Sequence, residues 1–239
     1  MISTEFKADI SLTSFRSLLI QWDFEVNQHS VVYLNQFKEY LKVQDEEILY
    51  LTSAFNSILV NYHFEIDFNT KKDLIYNLLS TFKLNDEFIS KSKTYRIPVC
   101  YQNFGLDLEN ISYHLDYSIS EIIDFHTSKT YTLFFTGFLP GFLYLGKVDD
   151  KINLPRHKKP RPKVKAGSVG IAENQTGIYP MESPGGWQII GRTPLKIFDV
   201  NHPKPSPFNP GDQINFYEID KSKFMELNEN DTNSLFKNL

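Results

Sequence analysis

The first 97 residues of this chain contain neither glycine nor proline, whereas ten of its 11 glycines lie between positions 137 and 211. Glycine admits positive φ and close backbone approach, and proline locks φ and removes a donor. The first stretch is therefore restricted to regular elements joined by turns that ordinary residues can make. The second must have a backbone specified turn by turn. A break this abrupt predicts two domains, 1–92 and 93–239, joined near 90–93.

In the first domain, Leu18, Ile20 and Trp22 alternate with Leu19, Gln21 and Asp23, the period of a strand. Asn27 is placed to cap a helix whose apolar stripe is Val31, Leu34, Phe37 and Leu41. Strands are predicted over 48–51 and 57–64. Thr70 with Asp73 has the pattern of a capping box ahead of Leu74, Ile75, Leu78, Leu79 and Phe82. The order β-α-β-β-α predicts a small α+β domain, an antiparallel sheet with helices on one face.

The second domain opens with a strand over 95–101 that contains Pro98, which predicts an edge position or a bulge. Two short helices follow, one over 106–115 and one capped by Ser118 with Glu121 and running to His126. At that helix end an imidazolium gains from the helix dipole. Strands are predicted over 131–135, 168–172, 187–190, 195–199 and 213–219. Short strands separated by Gly/Pro turns predict a mainly-β domain built as a closed or partly closed barrel. From position 220 a short helix and then fraying are expected.

Composition narrows the function classes. A net charge of −4 does not point to nucleic acid, and the single cysteine, Cys100, excludes an internal disulfide framework or a multi-cysteine metal site. The six histidines are scattered without metal-ligand spacing, so no metal is expected. No apolar run approaches 18 residues and the first residues lack an apolar signal core, so a soluble, cytoplasmic protein without a membrane partner is expected.

The chemistry concentrates where the glycines do. Over 156–165 seven of ten residues are basic, His157 included, and two prolines keep the run from forming a helix. This run, with Arg156 and Arg161, reads either as an anion-binding edge or as a solvated basic loop. Gln175, Thr176 and Tyr179 bring an amide, a hydroxyl and a phenol to one short stretch, suited either to orienting a small polar ligand or to satisfying local turns. Gly185 and Gly186 precede Trp187, which either walls a groove or fills the core. Arg192, at a strand end, suits a carboxylate clamp or a pair with Asp199. The run Ala166-Gly167-Ser168-Val169-Gly170 reads as a tight strand entry or a phosphate cradle. It lacks the Lys-Ser/Thr of a P-loop, so nucleotide binding by this chain alone is not expected.

The strings IPVCY, SISEIIDFH, GFLPGFLYLG, LPRHKKPRPKVKAGSVGIAENQTGIYP and SPGGWQIIGRTPLKIFD, in this order from Ile97 onward, resemble the PxpB/KipI family. That family is also described as allophanate hydrolase subunit 1, or carboxyltransferase domain subfamily C/D. More weakly, the stretch from Ser57 to Tyr62 resembles a family strand. The resemblance implies an α+β N-terminal domain and a cyclophilin-like barrel as the C-terminal domain. It implies a component of an ATP-dependent 5-oxoprolinase, which converts 5-oxoproline to L-glutamate with PxpA-like and PxpC-like partners. ATP is then used by the complex, with no cofactor held by this chain alone. The substrate groove would carry Arg156, Arg161, Gln175, Thr176, Tyr179, Gly185, Gly186 and Arg192, with no catalytic residue assigned. The alternative is a KipI-like inhibitor of a sensor histidine kinase, without catalysis, with Phe138, Pro140 and Phe142 as partner contacts. Family members usually have Pro where this chain has Lys165.

Overall fold

The structure is a computed structural model that describes residues 7–85 and 92–229. The expected joint at 90–93 begins outside these residues, and so does the expected fraying beyond 229. The chain forms two compact units, Met1–Lys91 and Ser92–Leu239.

The first unit runs β1 (Ala8–Ser14), β2 (Ser17–Trp22), α1 (Gln28–Gln44), β3 (Ile48–Ala54), β4 (Ser57–Tyr62) and α2 (Phe68–Thr81). Its four strands form an antiparallel sheet in the order β1-β2-β4-β3. Register explains the burial: Leu18 pairs with Val60 and Ile20 with Ile58, so one face of the pleat is apolar. Phe37 and Leu41 of α1 and Ile75 and Leu78 of α2 share one core with that face. Asn27 caps α1 as expected, and Ser30 returns the hydrogen bond. The cap of α2 is not Thr70 but Asp67, whose carboxylate accepts from the Thr70 amide at 2.8 Å. Thr70 is thus already inside the first turn. The strand β1 escapes the sequence pattern, because only Ala8, Ile10 and Leu12 alternate in it and Leu12 is exposed.

The second unit contains β5 (Thr94–Val99), α3 (Leu108–Leu115), α4 (Ile119–Thr127), β6 (Thr130–Thr136), β7 (Leu143–Gly146), β8 (Arg161–Val164) and β9 (Ser168–Ala172). It continues with β10 (Gln175–Ile178), β11 (Ser183–Gly185), β12 (Gln188–Arg192), β13 (Gln213–Glu218) and α5 (Lys221–Glu229). Seven strands form one sheet in the order β12-β9-β10-β7-β6-β13-β5, with only β13 and β5 parallel. Pro98 lies on β5, at the sheet edge, where its missing donor costs no ladder bond. The sheet curls until its two edges meet. Cys100, next after β5, exchanges both backbone hydrogen bonds with Arg192 at the end of β12, at 2.9 and 3.0 Å. Inside lie Ile97, Val99, Leu133, Leu145, Ile171 and Phe216, covered by Ile122 and Ile123 of α4. The ribbon of β8 and β11 stands apart from this sheet.

The strand predicted over 195–199 does not form. Leu195 and Ile197 are buried in strand-like alternation, but the Leu195 amide donates to Thr193 Oγ1 and the Asp199 amide to the Pro205 carbonyl. Local acceptors thus replace the ladder.

The glycine between β8 and β9 has a clear purpose. Gly167 has φ +80° in a turn closed by the Ser168 amide donating to the Lys165 carbonyl at 3.2 Å. That is the type II position that excludes most side chains. Lys165 sits exposed at the first position of this turn, so its charge faces solvent. A Cβ on Gly167 would also run into the Thr193 carbonyl. Gly167→Ala is expected to lower stability by about 2 kcal/mol or more. An unchanged urea midpoint would mean that the turn relaxes freely.

Candidate functional site

The candidate residues separate into three groups. Arg161, Gly185, Gly186 and Arg156 come together around the β8–β11 ribbon. Arg161 is the register partner of Gly185, and the His157 amide donates to the Gly186 carbonyl at 2.7 Å. Arg156 lies over the Trp187 ring, 5.8 Å from its centroid. Beneath the ribbon, Tyr179 is buried with Phe142 and Trp187, and Gly185 leaves room for the Tyr179 ring to lie against its backbone. Burial pushes the Tyr179 phenol up to about 12, so it stays protonated at neutral pH.

The second group lies in the interior. Thr176 does not face the groove: its hydroxyl donates to the Gly170 carbonyl at 3.0 Å and meets His126 Nε2 at 2.9 Å. Since that proton is committed, Thr176 accepts from His126 Nε2–H. His126 Nδ1 then accepts from the Tyr101 hydroxyl at 2.7 Å. The imidazole expected to be a cation at a helix end is therefore neutral, and its burial pulls its pKa down to about 3.

Arg192 and Gln175 make up the third group. Arg192 Nε donates to the Ala166 carbonyl at 2.8 Å, and its guanidinium lies over Phe104 and Phe224 at 5.8 and 5.6 Å. It does not pair with Asp199, which is held by Lys196 at 2.7 Å. Arg192 thus pins α5 to the closed edge of the sheet. Gln175, half-buried, occupies the β10 end opposite Gly146. In the loop before β7, Phe142 fills the core against Trp187 and Tyr179. Phe138 is 65% exposed and Pro140 is also exposed.

Two residues that sequence reasoning missed, Asp107 and Gln188, complete the ribbon site with His157, which the sequence marked only as part of the basic run. Asp107 stands at the N-cap of α3 but makes no side-chain cap bond. Instead it is 4% exposed and reaches across the unit. Its Oδ2 accepts from the Ile189 amide at 2.6 Å, its own amide donates to the Ile189 carbonyl at 3.0 Å, and its Oδ1 accepts from Arg161 Nη2. His157 Nε2 lies 3.2 Å from the same Oδ1 but lacks hydrogen-bond alignment, so the contact is electrostatic only. Gln188, 8% exposed, donates to the Pro155 carbonyl at 2.9 Å. Three buried polar atoms here make no hydrogen bond: His157 Nε2, Arg161 Nη1 and Gln188 Oε1. Unpaired buried polar atoms are costly, and in native proteins they call for a ligand, a water or a function. Asp107 carries no distinguishing local signal, since an Asp before a helix reads as an ordinary cap. Among the described residues no group of three His, Cys, Asp or Glu is placed to hold a metal, and no helix is long and apolar enough to cross a membrane.

The family described as carboxyltransferase domain, subdomain C and D, matches residues 8–208. The chain is 40% identical over 148 residues to the 5-oxoprolinase B subunit of Bacillus subtilis, a match that covers 62% of each. It is 35% identical over 173 residues to the 5-oxoprolinase B subunit of Haemophilus influenzae, covering 72% of this chain and 80% of that one. In fold it is similar to the crystal structure of K. lactis urea amidolyase, with a TM-score of 0.76 at 17% identity over 96% of this chain and 16% of that one.

Proposed function

The chain belongs to the family of carboxyltransferase subdomains C and D, and from that premise we propose that it is the B subunit of an ATP-dependent 5-oxoprolinase, its barrel of the cyclophilin-like kind. The observation that carries this reading is the identity of 40% and 35% to 5-oxoprolinase B subunits, and the Asp107-centred cluster, with hydrogen-bonding capacity left unused, is where we place its substrate contacts. The substrate, 5-oxoproline, has one carboxylate and one lactam. A guanidinium suits the first, and amide or imidazole groups suit the second. The ring must be opened by water, and the lactam oxygen must be activated for attack. No nucleophile–base pair stands in this cluster, so PxpA-like and PxpC-like partners supply the ATP-dependent step in the cytoplasm. The kinase-inhibitor alternative loses one of its anchors to the core, because Phe142 is buried.

Reconstitution tests the proposal. The chain with PxpA-like and PxpC-like proteins is expected to release glutamate from 5-oxoproline in an ATP-dependent way, and Arg161→Gln to lower kcat/KM about 100-fold. No glutamate from the complete mixture, or full activity of the variant, overturns it.

A further inference from the structure

We propose that the outer edge of β1 is a self-association surface, on which a second copy of this chain pairs its own β1 antiparallel about a two-fold axis beside Ile10. The two four-stranded sheets then run on as one. The proposal is independent of the 5-oxoprolinase reading.

Among the described residues β1 pairs only with β2, so its other side carries backbone groups without a ladder. Which residues own them follows from the hydrogen bonds nearby. The Asp23 amide donates to the Lys7 carbonyl, towards β1, whereas the amide of Trp22, the register partner of Ala8, donates to the Asn56 carbonyl, away from β1. Hydrogen-bonded and non-hydrogen-bonded pairs alternate along an antiparallel ladder. Ala8, Ile10 and Leu12 thus direct their N–H and C=O groups outward, and Asp9 and Ser11 direct theirs to β2. The side chains of the same three residues lie on the core face, opposite Trp22, Ile20 and Leu18. Ala8 and Ile10 are buried there, but Leu12 is 50% exposed. Edge strands are commonly guarded by lysine, proline or an inward-pointing charge, and ADISLTS contains none of these.

Three constraints fix the register. Core-face side chains must meet core-face side chains, which puts the axis beside a residue rather than between two. An axis beside Asp9 sets that carboxylate against its own copy, and like charges directly opposite are destabilising. The strand is regular only from Ala8 to Leu12, because the register shifts between Leu12 and Ser14, and an axis beside Ser11 draws Thr13 into the ladder. The axis beside Ile10 uses the regular stretch whole. Ile10 meets Ile10 of the second copy and Ala8 meets Leu12, each pair exchanging both backbone hydrogen bonds. The exposed half of Leu12 is then covered beside a small side chain. Asp9, the one charge on the strand, faces the Ser11 hydroxyl, which can donate to it. The other edge of this sheet, β3, matches itself less well. Its register shifts between Ile48 and Tyr50, and Ser53 interrupts the core face beside Leu51.

Sedimentation equilibrium of the full chain is expected to show a mass that doubles as the concentration rises from micromolar to millimolar. Leu12→Pro should weaken this association about 10-fold or more, since it removes an outward donor and costs no hydrogen bond to β2. Leu12→Lys, at a half-exposed position that a monomer tolerates, should do the same by placing a charge on the edge, and it keeps the test open if the proline disturbs folding. The register is read by cross-linking with copper phenanthroline as oxidant. Positions 9 and 11 of opposite copies form a non-hydrogen-bonded pair with Cα atoms about 4.5 Å apart, within disulfide reach. A mixture of Asp9→Cys and Ser11→Cys chains should therefore cross-link about 10-fold or more faster than either variant alone. The native Cys100 is buried and does not compete. A single-chain mass at every concentration, a dimer undiminished in both Leu12 variants, or cross-linking of either single variant as fast as the mixture overturns the proposal.

Discussion

Replacing Lys71 with methionine is expected to lower the stability of the first unit by about 3–5 kcal/mol, the cost of stranding a buried charge. Lys71 Nζ donates to both carboxylate oxygens of Asp45 at 2.9 Å and meets Glu47 at the same distance. It also lies over the Tyr62 ring, 4.8 Å from the centroid. Asp45 is buried whereas Glu47 is exposed, so nearly all the cost lies with Asp45. Burial alone would pull the Lys71 ammonium down, but its hydrogen bonds and charge pairing with Asp45 and Glu47 outweigh that and leave it above the ordinary lysine value. A urea titration followed through Trp22, the tryptophan of this unit, is expected to show a midpoint lower by about 1–3 M. The double variant Lys71→Met with Asp45→Leu should recover most of the loss, because an apolar pair has no charge to strand. A single variant within about 1 kcal/mol of wild type would mean that water reaches Asp45 freely.

Acidification is expected to destabilise the second unit through His126. The folded state keeps this imidazole neutral down to about pH 3, whereas the unfolded chain protonates it near its ordinary value of 6.5. Between those values the unfolded state binds the extra proton, so stability rises with pH. The contribution is fully present above the ordinary value and is lost as pH falls towards the folded-state value. Each pH unit in that window is worth up to about 1.4 kcal/mol, or about 3 kcal/mol between pH 6.5 and 4. Carboxylates outside the core, exposed Glu121 and half-buried Asp149, are held low by capping hydrogen bonds and add their own acid loss. His126→Gln separates the two: it is less stable at pH 7, yet its stability should fall less steeply between pH 6.5 and 4. The comparison is read from urea midpoints monitored through Trp187. Parallel profiles for the two proteins would show that His126 does not carry the window.

Local rules make much of this protein legible. The Asn27 and Ser118 caps, the strands around Leu18–Trp22 and 168–172, and the edge position of Pro98 all follow from interactions spanning a few residues. Local reading fails where tertiary partners prevail over nearby ones. Thr176 and His126 satisfy each other across 50 residues. Arg192 turns to Phe104 and Phe224 rather than to Asp199. The short strands β7, β10 and β11 have too few residues, and too much glycine, to show a period on their own.

By itself the sequence determined the type of most elements, the basic character of the 156–165 run and the family. The placement of its chemistry belonged to the tertiary structure. Asp107 reaches Arg161 across 54 residues and Ile189 across 82. No pattern along the chain encodes such contacts, because they exist only once the sheet has curled and brought β12 against the start of α3. Until then Asp107 is an ordinary helix cap and Gln188 an ordinary strand residue. The closed sheet buries both and leaves the cluster its unpaired atoms.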